Sequence, residues 1–321
     1  MQKEQFKNIS GTLPPHYLLG IDGGGTKTVF RLADESGKPL STVYKGASNP
    51  NDIGMENTFS LLREGIYEAC SGIPHGRITV FAGIAGGGLS GNNAEALHHF
   101  FEDFSFLAFE NGSDIENLVA LSSEEKRVLV IMGTGFIVYA INGAEKKRIS
   151  GWGQLFDEGG SGYTIGRDAI SAVLSAGDGS GRETLLTALL EARIREPAER
   201  HLTEFYRGGK RYIAEFAPLV FQAAKQNDPI ALAVLEKNAR FAAEKINAAL
   251  AVLHQPSEDG GIPVFFAGGI SRESEMLFPM IKGSLACGGC RLIRLEQEPI
   301  EGAVNRAKQI YEMKIKESGI F

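Results

Sequence analysis

Apolar residues along the chain fall into short runs separated by glycine and polar clusters. Residues 17–21 form one such run, which ends in Asp22-Gly23-Gly24-Gly25-Thr26-Lys27-Thr28, and residues 29–33 resume apolar character before a turn at 34–37. This pattern predicts two strands joined by a glycine-rich hairpin. Phe59, Leu61, Leu62, Ile66 and Tyr67 recur at near-helical spacing and predict a helix over 57–70. A strand over 78–84, a glycine loop, a helix over 92–104 and a strand over 106–110 follow. The second half begins the same way, with apolar runs at 128–131 and 136–141 flanking Gly133-Thr134-Gly135. Helices are predicted over 164–175, 182–194 and 197–206. The longest should start after Asp228, an N-cap followed by Pro229, and run to about His254. A strand over 264–267 enters Gly268-Gly269-Ile270-Ser271, and a helix, a strand over 291–295 and a closing helix from about 301 complete the chain. Strands alternating with helices predict an α/β fold.

Length and charge narrow the field. At about 150 residues per domain, 321 residues predict two domains. The composition, 43% hydrophobic and 22% charged, excludes wholesale disorder and fibrous structure. Thirty-three Lys and Arg against 39 Asp and Glu give a net charge of -6, and the densest basic run is only Lys146-Lys147-Arg148, so no basic face for nucleic acid is expected. Cys70, Cys287 and Cys290 are too few for a disulfide scaffold and are expected as reduced thiols. The opening MQKEQFKNISGTLPP lacks the apolar core of a signal peptide, and no run reaches membrane-spanning length, which predicts a cytoplasmic protein. The informative excess is glycine, 40 residues.

Successive glycines in a hairpin let several backbone N–H groups converge on one oxyanion, because no Cβ blocks close approach. The 22–28 segment is not a Walker A loop: Thr26 separates Gly25 from Lys27, and a strand follows it. Asp22, just before the glycines, suits a water-mediated hold on Mg²⁺. One such loop is equally a tight turn beside a solvated Asp, but three more glycine loops close apparent strands. Gly133–Gly135 is a candidate second phosphate loop and Gly268–Gly269 a candidate nucleoside contact. The fourth, Gly86-Gly87-Gly88-Leu89-Ser90-Gly91, matches G-x-G-x-x-G between a strand and a helix with Glu110 about 20 residues on, the dinucleotide fingerprint. That assignment explains one loop and leaves the others idle. Cys287-Gly288-Gly289-Cys290 is a lone C-x-x-C. The six histidines form no H-E-x-x-H, and no G-x-S-x-G occurs.

Taken in order, Asp22–Thr28, Gly133-Thr134-Gly135, Gly151-Trp152-Gly153 with Asp157-Glu158-Gly159-Gly160-Ser161-Gly162, and Ala267-Gly268-Gly269 resemble the successive motifs of the BadF-type ATPase family, in its N-acetylglucosamine kinase-like branch. The resemblance implies two RNase H-like lobes of the actin-like ATPase/sugar kinase fold, with an interlobe cleft that closes over ATP and substrate. The lobes are expected at 16–115 plus 301–321 and at 116–300, after a polar tail at 1–15. It implies ATP and Mg²⁺ as cofactors and phosphorylation of an amino sugar, N-acetylglucosamine or glucosamine, with the 6-hydroxyl the expected acceptor. Asp22 would be the Mg²⁺-associated acid. Gly23, Gly24, Gly25, Thr26 and Lys27, with Gly133, Thr134 and Gly135, would meet the phosphates, and Gly268 and Gly269 the adenosine. Asn49, Trp152, Gly153 and either Asp157 or Glu158 would meet the sugar. Asp114 would be the catalytic base, with Glu110 as fallback.

The chain also departs from the family pattern. Met132 and Phe136 replace small polar residues around the second phosphate loop. A gapless alignment puts Glu158 where the family has Asp and Gly159 where it has Glu, and Gly112-Ser113 replace a more apolar lead-in to Asp114. Each side chain also has a local alternative: an N-cap for Asp114, a turn before Pro50 for Asn49, core for Trp152. Expected partners are a small-molecule sugar and, as an open alternative, a second copy in a homodimer, without nucleic acid or membrane. Relatives that activate 2-hydroxyacyl-CoA dehydratases through an iron-sulfur cluster are the main rival. A sugar-sensing regulator is disfavoured, since no helix-turn-helix precedes the first strand.

Overall fold

The computed structural model describes residues 15–88, 92–253, 261–286 and 289–318. The chain divides into two compact units, 1–123 with 297–321 and 124–296. In order, the first stretch forms β1 (Tyr17–Gly23), β2 (Thr28–Asp34), β3 (Pro39–Lys45), α1 (Pro50–Ile53), α2 (Met55–Ala69), β4 (Ile78–Ile84), α3 (Asn93–Glu102), β5 (Ala108–Gly112) and α4 (Asp114–Val119). The second unit contains β6 (Lys126–Met132), β7 (Phe136–Asn142), β8 (Glu145–Arg148), α5 (Gly162–Gly177), α6 (Leu185–Ile194), α7 (Leu202–Ala214), α8 (Ala217–Ala224), α9 (Pro229–Val252), β9 (Ile262–Ala267), α10 (Ser274–Gly283) and β10 (Cys290–Arg294). The closing helix, α11 (Pro299–Ser318), returns to the first unit.

Each unit holds one five-stranded sheet, ordered β3-β2-β1-β4-β5 and β10-β9-β6-β7-β8. In both, a hairpin of three antiparallel strands is extended on its first strand by two parallel ones. The second sheet therefore repeats the order of the first, and the β6–β7 hairpin occupies the place of β1–β2.

Alternation along β1 decides what the first sheet presents on each face. Leu19 and Ile21 point into a core with Leu62, Ile66, Leu97 and Phe101 from α2 and α3. Leu18 points the other way, against Ile300, Ala303, Val304 and Ala307 of α11. Gly20 shares that second face, where a Cβ would lie 2.7 Å from the Val304 amide. A side chain there would hold α11 off the sheet. Asp22 is two residues further along the same face, and the hydrogen bond it receives from Asn117 of α4 shows that it points there.

Several elements differ from the sequence pattern. β3 and β8 were not predicted: they are edge strands whose residues, Val43 apart, are not buried, so neither shows an apolar alternation. α8 (APLVFQAA) is short and apolar apart from Gln222, so it shows no clear amphipathic period in the sequence. β5 lies two residues later than expected, which places Asn111 and Gly112 in the strand. α4 packs on α11, so the first unit runs to Ser123, past the expected 115, and takes the chain back at Gln297. The N-cap at Asp228 is as predicted; its carboxylate accepts from the amides of Ile230 and Ala231 and also from Leu185, which ties the start of α6 to α9. The predicted end of this helix at His254, the tail at 1–14, Leu89 to Gly91 and Cys287 lie outside the described residues.

Candidate active site

The carboxyl ends of β1 and β5 bring Asp22 and Asp114 into electrostatic range of each other. Asp114 is the first residue of α4, and the N-cap is Ser113, whose hydroxyl accepts from the Ile115 amide at 3.3 Å. The capping role considered for Asp114 is thus filled by its neighbour. Burial raises the Asp114 carboxyl, and hydrogen bonds from the amides of Ile115 and Asp114 itself only partly offset it. Burial likewise pushes the Asp22 carboxyl up to about 6; a hydrogen bond from Asn117 pulls it down, the Asp114 charge pushes it up, Lys27 lowers it and Glu298 raises it. The bond from Asn117 Nδ2 to Asp22 Oδ1 is 2.7 Å, and the same amide donates to Gly83 O at 3.2 Å.

Two glycines make room for this fully buried asparagine. A Cβ on Gly83 would strike Asn117 Oδ1, and one on Gly302 of α11 would strike the Asn117 carbonyl. Asn117 was not singled out from sequence; its signal is a position one helical turn beyond Asp114, which puts both on the same side of α4. The fallback base is otherwise occupied: Glu110 Oε2 accepts from Arg306 Nη2 at 2.6 Å.

The β1–β2 turn spends the Gly24 amide on Lys27 O at 3.0 Å, and the Gly24 carbonyl accepts from Ser48. Gly25, Thr26 and Lys27 are exposed, and their amides have no partner among the described residues. They are the donors this turn can offer an anion; Gly24 is not one, and Gly23 is the last residue of the β1 ladder. Asn49 is the N-cap of α1, its Oδ1 accepting from Asn51 N at 3.1 Å and its Nδ2 donating to Asp52 Oδ2 at 2.8 Å. The turn role is therefore real.

In the second unit, the predicted glycine loops converge. Gly133 N–H donates to Gly135 O at 2.9 Å, Gly162 N–H donates to Gly133 O at 2.7 Å, and a Cβ on Gly268, whose φ is +94°, would lie 2.5 Å from Met132 O. Around Gly269 no atom lies within 4 Å of where a Cβ would be, so this glycine faces open space. Met132 and Phe136 are buried, and the Phe136 ring packs where Gly160 has no side chain. They serve the core, which explains why polar residues are absent there. α5 starts with a capping box between Ser161 and Thr164, and Asn238 of α9 accepts from Gly160 N at 2.9 Å and Thr164 Oγ1 at 2.7 Å. Nothing in the local sequence pattern marks Asn238, which lies on the buried side of α9.

The Trp152 motif forms a compact loop. Asp157 is buried and accepts from Gly153 N at 2.9 Å and Gly151 N at 3.4 Å, so its oxygens hold the loop together. Glu158 is exposed. Trp152 is 58% exposed with the Arg148 guanidinium 4.5 Å from its ring centroid, so it is not core. As for the rival motifs, the carbonyl of Gly86 accepts from Asn93, Gly88 packs on Ser113, and Glu110 is paired with Arg306. Cys290 opens β10. Among the described residues no group of three or more His, Cys, Asp or Glu is placed to hold a metal, and no helix is long and apolar enough to cross a membrane.

Two sheets of this order, each with a glycine hairpin on its first two strands, define the actin-like ATPase and sugar kinase fold. A Streptomyces griseus ROK family glucokinase, solved with glucose and AMPPNP, superposes with a TM-score of 0.59 at 19% identity over 93% of this chain and 100% of that one. A Chromobacterium violaceum structure that carries the provisional name N-acetylglucosamine kinase reaches 0.71 at 24% identity, over 92% and 99%. The model of the BadF/BadG/BcrA/BcrD ATPase family matches residues 19–304, and the chain belongs to this family. It is 30% identical over 276 residues to the N-acetyl-D-glucosamine kinase of Dictyostelium discoideum, covering 80% of this chain and 86% of that one. It is also 27% identical over 299 residues to the N-acetylmuramic acid/N-acetylglucosamine kinase of Clostridium acetobutylicum, covering 90% and 97%.

Proposed function

We propose that the protein is an ATP- and Mg²⁺-dependent kinase of an amino sugar, N-acetylglucosamine or glucosamine, acting on the 6-hydroxyl. The observation that carries this is the Asp22/Asp114 pair with Asn117 locked beneath it. Phosphoryl transfer asks for positioning, charge neutralisation and a carboxylate at the attacking hydroxyl. Asp114, raised by burial yet not capping its helix, suits the last task; it takes the proton of the sugar hydroxyl as that oxygen bonds to the γ-phosphorus, while the bond from phosphorus to the β–γ bridging oxygen breaks and ADP leaves. The unspent amides of Gly25, Thr26 and Lys27, with those of Thr134 and Gly135, offer donors to phosphate oxygens, and Gly269 leaves open space for the nucleoside.

Asp22 fits Mg²⁺ on the chemistry of its surroundings: a carboxylate raised by burial, with Asp114 and Glu298 adding negative charge, is relieved by a nearby cation. A single carboxylate makes no closed metal cage, which matches a hard ion whose other ligands are phosphates and water. Bound there, Mg²⁺ would neutralise phosphate charge. The names of the relatives support the amino-sugar class.

On the sugar side we assign Glu158, with Asn49 and Trp152, to the ligand, and Asp157 to holding the loop. Glu158→Gln should raise the sugar KM about tenfold without changing the melting temperature. Asp157→Ala, which leaves two amides without their acceptor, should cost about 1–3 kcal/mol of stability. The reverse pattern in melting curves and kinetics would exchange the two roles.

The experiment for the whole proposal is a coupled ADP-release screen with ATP and Mg²⁺ across hexoses, amino sugars and N-acetyl amino sugars, with the phosphorylated carbon read by NMR. Release that depends on an amino sugar is expected. Equal release in the sugar-free blank would mean an ATPase instead.

A further inference from the structure

We propose that Lys210 is a phosphate ligand of the β6–β7 turn, a cation that no glycine motif includes. α7 is broken at Gly209, whose φ of 59° and ψ of -156° leave the helix, and Lys210 is the first residue after the break. The break aims the side chain at the turn: Lys210 Nζ lies 3.3 Å from the position of a Cβ on Gly135. The segment that carries Lys210 is held firmly. The backbone of Ile213 packs where Gly166 of α5 lacks a side chain. The Tyr212 hydroxyl bonds His201 Nε2 at 2.7 Å, and His201 Nδ1 pairs with Glu196 at 2.5 Å. Arg193 and Glu215 close the end of α7 at 3.0 Å.

The polar groups around the ammonium are unbalanced. The carbonyls of the turn are spent: Gly135 O accepts from Gly133, Gly133 O from Gly162, and Thr134 O from Tyr163. The amides of Thr134 and Gly135 have no partner among the described residues, and Lys210 has neither hydrogen bond nor ion pair there. The acids that act on Tyr212, two residues along α7, are paired with other groups, Glu196 with His201, Glu204 with Arg207 and Glu215 with Arg193. Two free amides and a lysine without a carboxylate make a site for an anion. That the anion is the phosphate chain of a nucleotide rests on the kinase assignment; the cationic site itself does not.

The test is calorimetry on the full chain with ATP, adenosine and inorganic tripolyphosphate, comparing wild type, Lys210→Met, Lys210→Gln and Lys210→Arg, with thermal melts as a folding control. Lys314→Met, an exposed residue of α11 in the other unit, is the reference. Loss of one charge-assisted contact should weaken ATP and tripolyphosphate about 10- to 100-fold and leave adenosine unchanged. Arg should restore most of the loss, and in turnover the KM for ATP should rise more than kcat falls. Unchanged tripolyphosphate and ATP binding in a folded Met or Gln variant would overturn the proposal. If the Lys210 variants lose tripolyphosphate binding but no sugar is phosphorylated by the wild type, the kinase assignment fails and the anion site stands. If wild type binds neither ATP nor tripolyphosphate, both fall.

Discussion

Asp114→Asn should lower kcat by about 10²- to 10⁴-fold, the usual span for a lost general base, while ATP affinity stays within a few-fold. Asn keeps the size of the side chain and can still accept from the Ile115 amide, but it cannot take a proton. The neighbouring carboxylate supplies the control. Glu110→Gln removes half of an ion pair with Arg306 of α11, so it should leave kcat near wild type and cost at most about 1 kcal/mol of stability. The pH profile carries the same information: burial raises the Asp114 carboxyl, so the acidic limb of kcat should sit above the range of an ordinary exposed Asp. Wild-type kcat in Asp114→Asn together with its loss in Glu110→Gln would move the base to Glu110.

Asp22→Asn should abolish most activity and make the ligand-free protein more stable at neutral pH. The folded carboxyl titrates near 6 against about 4 for an exposed Asp, mainly because burial penalises the charge. The folded state therefore holds its proton more tightly than the unfolded state, and stability through this group falls as pH rises from about 4 to about 6. The penalty is complete above 6 and amounts to about 3 kcal/mol. Asn accepts the same 2.7 Å bond from Asn117 without a charge. Melting curves in EDTA without nucleotide should coincide for the two proteins near pH 4 and separate by several degrees at pH 7, variant above wild type. Equal melting temperatures at both pH values would show that the buried charge is not destabilising. Such a trade of stability for a charged group is typical of functional sites.

Much of the molecule is legible from local pattern. The hairpins around 22–28 and 133–135 announce themselves by apolar runs of strand length interrupted by glycine, and each unit is built on one of them. The N-cap and proline at 228–229 mark the longest helix because capping is a property of adjacent residues. What stayed hidden was either uniform in polarity or dependent on distant contacts. β3 and β8 lie at sheet edges with few buried positions, and α8 is a short helix with Gln222 as its one polar residue, so neither case leaves a clear polar-apolar period to read.

The chain by itself determined the family, the order of the glycine loops and the carboxylates at the strand ends, since these depend on residue type within a few positions. Only the tertiary structure decided which of those groups are free to act. Asn117 reaches Asp22 across 95 residues through space left by Gly83 and Gly302; Asp157 is consumed by its own loop while Glu158 is not; Lys210 meets Gly135 from a broken helix. Such pairings arise from packing between elements remote in sequence, where a missing methyl group or an occupied lone pair settles the role of a side chain, and no local periodicity records them.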